Sequence, residues 1–192
     1  MKKIMFNDDF CLTPTVLSGA KTMTRRVLRD NVPLGNWEET QKHLPYKVGE
    51  VVAIAQSYKT IYAEMIKEFV KHNYHIPRKD AAEKFKKVYE NCAGWTNKMF
   101  VRVDLMPHHI KITDVKVERL QDISDDDIMR EGVWQLSYDN GLFYVSQNTG
   151  YVPTVAFPSA REAFWYLIDK ISGKGTWESN PWVAAYEFKV ID

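Results

Sequence analysis

At Tyr58 the apolar residues of this 192-residue chain change from a short continuous run to a recurrence at every third and fourth position. Upstream, Lys47-Val48-Gly49-Glu50 reads as a tight turn into the apolar run Val51 to Ala55, the pattern of a buried strand. Downstream, Tyr58, Ile61, Tyr62, Met65, Ile66, Phe69 and Val70 recur at helical spacing. Pro77 interrupts them, and Ala81, Phe85, Val88, Tyr89 and Cys92 mark a second helix. Strand patterns then resume at Met99 to Val103 and again from about Ile110 to Leu120. Residues 58–92 therefore read as a helical hairpin inserted between strands, which commits the chain to an α+β architecture.

The flanks are punctuated in the same way. Thr13-Pro14-Thr15-Val16-Leu17 reads as a short helix with proline in its first turn, and Gly19 stops it. Lys21 to Val27 looks extended. Strict alternation puts Lys21, Met23 and Arg25 on one face and Thr22, Thr24 and Arg26 on the other. A twist or bulge at the strand's start would bring Lys21 and Thr24 to one pocket. Residues 28–48, with Pro33, Gly35 and Pro45, read as a surface loop. Ser124 before three aspartates starts a helix that Gly132 ends. Residues 133–157, rich in aromatics and glycine, read as a hairpin, a flap or a surface excursion. Ser159 with Glu162 forms a capping box for a helix that Gly173 and Gly175 end, and Trp182 to Val190 is the last strand. No repeat or linker divides the chain, so 1–192 is expected to be a single domain.

With 45% hydrophobic and 27% charged residues, the composition is that of an ordinary globular protein. A net charge of +1 leaves no bulk attraction to nucleic acid, so any basic footprint must be local. Residues 20–31 hold four basic residues against one acidic, and residues 113–131 hold seven acidic against three basic. A cleft between two such segments is one expectation, and a pair of solvated faces is the other. Cys11 and Cys92 lack CxxC spacing and read as free thiols, which suits a cytoplasmic protein without a secretion signal or membrane span. No metal is expected, because His72 and His75 have no third ligand at diagnostic spacing; no cofactor is expected either. Gly173-Lys174-Gly175 lacks the strand and spacing of a phosphate loop, and His108-His109 reads as structural.

The chemistry-bearing stretch is Ser18 to Val27, where an ammonium (Lys21), hydroxyls (Thr22, Thr24) and guanidinia (Arg25, Arg26) crowd together. Such a set suits binding or cleaving something oxygen-rich or anionic, and it equally suits a basic edge strand.

Three segments together resemble the ASCH family, a relative of the PUA RNA-binding fold. Gly19-Ala20-Lys21-Thr22-Met23-Thr24-Arg25-Arg26 fits the family's G-x-K-T-x-T-x-R signature. Asp114 to Val133, DVKVERLQDISDDDIMREGV, resembles its strand and acidic helix ending in Glu-Gly. The stretch from Ala163 to Val190, including FWYLIDKISGKGTWESNPWVAAYEFKV, resembles the closing helix and strand of longer members often found in phage and prophage genomes. The resemblance implies a PUA-like mixed β-barrel with packed helices and a cleft beside the first motif, with 58–92 and 133–157 as additions. It implies a ligand that is RNA or a modified nucleoside. Thr22, Arg25, Arg26 and Gln56 would bind it, and Trp134, Tyr144 or Trp182 would stack on a base. Some small members remove an acetyl group from acetylated cytidine with a lysine, a threonine and a glutamate, whose counterparts are Lys21, Thr24 and Glu131. An amidohydrolase is thus the second expectation, and a ribonuclease or a phage-derived interaction module the third. The chain departs from longer relatives at Ala53-Ile54-Ala55-Gln56, where they commonly carry Trp-x-Arg-Glu.

Overall fold

The computed structural model describes residues 1–74, 76–136, 141–148 and 154–191, Thr154 by its backbone alone. In chain order the elements begin with β1 (Lys2–Ile4), α1 (Leu12–Leu17), β2 (Met23–Val27), α2 (Trp37–His43) and β3 (Val51–Ile54). Then come α3 (Tyr58–Lys71), α4 (Ile76–Tyr89), β4 (His109–Arg119) and α5 (Asp125–Arg130). The chain ends with β5 (Trp134–Gln135), β6 (Phe143–Ser146), β7 (Thr154–Phe157), α6 (Ala160–Ser172), α7 (Thr176–Ser179) and β8 (Trp182–Val190). The protein is mixed α+β, its strands belong to two sheets, and no closed barrel is formed among the described residues. Among those residues no helix is long and apolar enough to cross a membrane.

The chain divides into two compact units. The first comprises Met1–Phe6 and Val52–His109. In it β1 runs parallel to β3, with Lys2 opposite Val52 and Ile4 opposite Ile54. Ser57 caps α3 by accepting from the Thr60 amide, and α3 and α4 form the helical hairpin that the periodicity predicts. Tyr58 anchors it: its ring meets Phe85 edge-on at 5.8 Å and Tyr89 at 4.7 Å. Gly94 lets that ring approach so closely that a Cβ there would lie 2.6 Å from it. Ala53, Ala55, Ile61, Val101 and Met106 complete this core.

The strand expected at Met99 to Val103 is instead two short 3-10 turns, Lys98–Phe100 and Val103–Leu105. Side chains claim its backbone. Lys3 Nζ donates to the carbonyls of Met99 (2.7 Å) and Val101 (2.8 Å). Asn97 accepts from the Met99 amide, and Tyr58 Oη from the Arg102 amide. Only Val101 of the alternating apolar set is buried; Met99 is exposed.

The second unit comprises Asn7–Val51 and Ile110–Asp192. Its central strand is β8, antiparallel to β2 on one side and to β4 on the other. Thr24 lies opposite Tyr186, Arg25 opposite Ala185 and Arg26 opposite Ala184. On the far side Val115, Lys116 and Val117 face the same three β8 residues. A register shift between Ile112 and Asp114 keeps β4's alternation in step with β8. Ser124 caps α5 and Ser159 caps α6, as their sequences predict. The described parts of 133–157 form a three-stranded antiparallel sheet, β5-β6-β7. The surface loop expected at 28–48 contains α2, capped by Asn36, which accepts from the Glu38 and Glu39 amides. The parts of the 133–157 reading that fall on 137–140 and 149–153, like His75, lie outside the described residues.

Candidate functional site

Strand β2 carries two different polar arrangements because its side chains alternate across the sheet. On the Arg25 face everything is ionic. The Arg25 side chain is fully buried and reaches three carboxylates. Its Nε donates to Glu118 (2.9 Å), one terminal nitrogen to Asp127 (2.7 Å) and the other to Glu131 (3.1 Å). Lys116 Nζ lies 3.1 Å from Glu118 and 3.0 Å from Asp127. Lys21 Nζ donates to both the side chain (2.7 Å) and the backbone carbonyl (2.6 Å) of Glu131. Gly132 permits this corner: its φ is +109°, and a Cβ there would sit 3.1 Å from Leu12 and 3.7 Å from Lys21. The basic and acidic segments of the sequence do meet, as closed ion pairs.

Burial pushes the Lys21 ammonium below the ordinary lysine value. Glu131 pulls it back up, and the positive charges of Arg26 and Arg25 push it further down. At Asp127, burial would raise the carboxyl, but hydrogen bonds from Arg25 and Lys116 outweigh it and hold the group below its usual value.

The opposite face of β2 presents Thr24 and Arg26, level with Tyr186 and Ala184 of β8. Here a cavity of about 340 Å³ opens, walled by Arg26, Leu28, Arg29, His43, Ala184 and Tyr186. That volume is near the lower end of the roughly 300–1,000 Å³ typical of small-molecule sites. Ala184 and Tyr186 form its buried floor, whereas Arg29, Asn31 and His43 are exposed at its mouth. The Tyr186 hydroxyl makes no hydrogen bond of ordinary geometry. Burial pushes its pKa up to about 12, against the lowering effect of the Tyr46 backbone. A larger hollow of about 480 Å³ lies along α6, but its charged residues, Glu162, Asp169, Lys170 and Lys174, are exposed or half-exposed.

Of the residues singled out in the sequence, the structure brings Lys21, Arg25 and Glu131 into direct contact and sets Thr24 and Arg26 on the other face. Thr22 accepts a hydrogen bond from Arg130 Nε at 3.1 Å. Gln56, in the first unit, is buried and donates to Glu64 at 2.6 Å. Trp134 and Tyr144 stack on each other at 4.8 Å, and Trp182 lies beneath the Arg119 guanidinium at 4.7 Å, so each aromatic already has one face covered. Tyr186, Arg29 and His43, which line the cavity, were not legible as site residues. Only the β2–β8 register and the fold of 28–45 bring them beside Arg26. Among the described residues no cluster of His, Cys, Asp or Glu is arranged to hold a metal ion.

Fold and geometry together define a mixed α+β protein with a buried ion-pair network on one face of a strand and an arginine-walled cleft on the other. No protein-family model, curated protein or solved structure matches this chain.

Proposed function

We propose that the protein binds RNA or a modified nucleoside in the cleft beside the Lys21–Arg26 motif, as an ASCH-type domain. In this reading the strands belong to a PUA-like barrel, and 58–92 is an insertion in it. One observation carries the proposal: the cavity begins at Arg26, the last residue of the motif, and combines guanidinium donors with a buried phenol and apolar walls. A planar base needs the apolar walls, and a phosphate or carbonyl needs the donors. Arg25 is a poorer candidate for ligand contact, since three carboxylates already occupy it.

Titration with ribonucleosides and a short single-stranded RNA tests the reading. Wild type should bind, with the RNA affinity falling as salt rises. Arg26→Ala should weaken binding by roughly tenfold or more, as expected for loss of a charge-assisted hydrogen bond. Equal affinity in the variant, or binding indifferent to salt, would refute it.

A second reading, amide hydrolysis of an acetylated cytidine, is favoured by one feature: Lys21 is buried and held below its ordinary pKa, as a general base for a threonine nucleophile requires. Alternation sets Thr24 on the face of β2 opposite the Lys21–Arg25–Glu131 network, so the start of β2 would have to rearrange for the two groups to meet. Lys21 would have to loosen its contact with Glu131 to act. Release of acetate from acetylated cytidine by wild type, abolished in Thr24→Ala, is the expected outcome. Equal release by both proteins would eliminate this chemistry.

A further inference from the structure

The two units differ sharply in charge. The first holds twelve Lys and Arg against six Asp and Glu, the second fourteen against nineteen. The near-neutral total therefore hides a basic unit, and most of its excess sits on α3 and α4. Lys59, Lys67 and Lys71 of α3 and Lys79, Lys84 and Lys87 of α4 are all exposed. Of these six, only Lys71 has a carboxylate within ion-pairing distance among the described residues, Glu68 at 3.5 Å. Three of the four acids on these helices engage other groups. Glu64 accepts from Gln56 at 2.6 Å and faces His108 at 3.7 Å, Glu68 also faces His72 at 3.3 Å, and Glu83 accepts from the Tyr62 hydroxyl at 3.0 Å. Lys67 and Lys71 stand at i and i+4, where like charges destabilise a helix. The positive charge thus faces solvent without being neutralised within the unit.

We propose that the outer surface of the α3–α4 hairpin binds double-helical nucleic acid, contacting backbone phosphates without regard to base sequence. The surface lies in the first unit, and the inference neither uses nor needs the cleft of the second. Lysine is a point charge on a flexible stem, suited to a phosphate oxygen and not to bidentate reading of a base edge. At 1.5 Å per residue the lysines extend along about 18 Å of α3 and about 12 Å of α4. A duplex presents one phosphate charge per roughly 1.7 Å of axis, so about ten lie within the longer span. A single strand would also need aromatic platforms for its bases. The hairpin's rings are mostly occupied by one another: Tyr58 packs on Phe85 and Tyr89, and Tyr62 lies against Trp95 and beneath the Lys86 ammonium. Tyr74 is exposed, but it stands at the tip, edge-on to Phe69 at 5.1 Å. A duplex keeps its bases stacked inside and asks only for the charges. Val70, Tyr74 and Ile76 are exposed together at the tip, whereas the lysines run along both helices, which suits a rod-like polyanion better than a bilayer.

Fluorescence anisotropy on the full chain, with a short RNA duplex and a DNA duplex of equal length, tests this, alongside sedimentation with phosphatidylserine vesicles. The two duplexes should bind within a few-fold of each other, and log affinity should fall against log salt with a slope of about −4 to −5, that of roughly five neutralised phosphates. Lys59→Gln, Lys67→Gln, Lys84→Gln and Lys87→Gln combined keep helix propensity and remove no packing. That variant should bind duplex about a hundredfold more weakly, with a slope shallower by about 3 to 4. The same charge removed from exposed positions of the second unit, Lys42→Gln, Lys111→Gln, Lys174→Gln and Lys189→Gln, should change affinity by less than about threefold. Absent duplex binding at low salt, an equal loss in both variants, or an unchanged slope in the hairpin variant would overturn the proposal. So would vesicle binding that needs the four hairpin lysines while neither duplex binds. If Arg26→Ala loses duplex binding and the hairpin variant keeps it, the phosphates lie at the cleft and this surface falls. Failure of nucleosides to bind wild type, with lysine-dependent duplex binding intact, strikes the cleft reading alone.

Discussion

Arg25→Ala should cost the protein roughly 3–5 kcal/mol of stability, read as a large fall in the urea midpoint. The side chain is fully buried, and its removal strands Glu118, Asp127 and Glu131 in a site where their side chains are only 15%, 12% and 6% exposed. Lys116 would remain to serve two of them, but it approaches from the solvent side with 47% of its side chain exposed. Lys116→Ala should accordingly cost no more than about 1 kcal/mol, the scale of an exposed pair. Acid adds a second readout. Asp127 is held below its ordinary 3.8 in the folded protein, so its stabilising contribution is complete above that value and is lost as pH falls through the folded pKa. Wild-type stability should drop on acidification below about pH 4. In Arg25→Ala this part of the acid dependence should flatten, because the guanidinium that lowers the Asp127 pKa is gone. An Arg25→Ala protein as stable as wild type would mean that the network is incidental to the fold.

Local signals were readable where the information was local. The amphipathic spacing of Tyr58, Ile61, Tyr62 and Met65 encodes α3, and the Ser124 and Ser159 hydroxyls mark helix starts because capping involves only the next three residues. α2 carries the same kind of signal within a stretch whose prolines and glycine read as a loop: Asn36 precedes Glu38 and Glu39, with Lys42 and His43 in the last turn. The 98–105 turns were not readable, since what dissolves the strand pattern is Lys3, about a hundred residues away in the chain. α7 is likewise set from a distance, by Asp169 accepting from the Gly175 and Trp177 amides.

The site divides along the same line. Lys21, Thr24, Arg25 and Arg26 announce polar chemistry by crowding in sequence, but alternation across β2 sends Arg25 to one task and Arg26 to another. Which carboxylates receive Arg25 depends on β4 and α5 packing beside β8. That Arg26 borders a cleft depends on Tyr186 standing two positions from Ala184 on the same face of β8. Periodicity therefore predicted that the two arginines would part, and only tertiary structure supplied their partners.

The pair Lys21 and Glu131 allows the structural and chemical readings to be separated by stability alone. Glu131 has two cationic partners, Lys21 and Arg25, whereas among the described residues the Lys21 ammonium contacts one carboxylate, that of Glu131. Removing the acid should therefore hurt more than removing the base. Glu131→Gln leaves an ammonium on a side chain 2% exposed without a counter-ion and should cost roughly 3 kcal/mol or more. Lys21→Met leaves Glu131 still bound to Arg25 and replaces a desolvated cation with an apolar chain of similar length, so its cost should be at most about half as large. Combining the two removes the stranded charge, and the double variant should regain about 1–2 kcal/mol relative to Glu131→Gln; that regain added to the cost of Lys21→Met is the coupling, about 2–3 kcal/mol, the upper part of the range for residues in contact. Chemical denaturation of the four proteins measures the cycle. Strictly additive losses would show that the contact carries no energy of its own and that Lys21 is buried for some purpose other than pairing. Coupling of the stated size, together with a Thr24→Ala protein that hydrolyses acetylated cytidine no differently from wild type, would assign the pair to holding the α5 corner against β2.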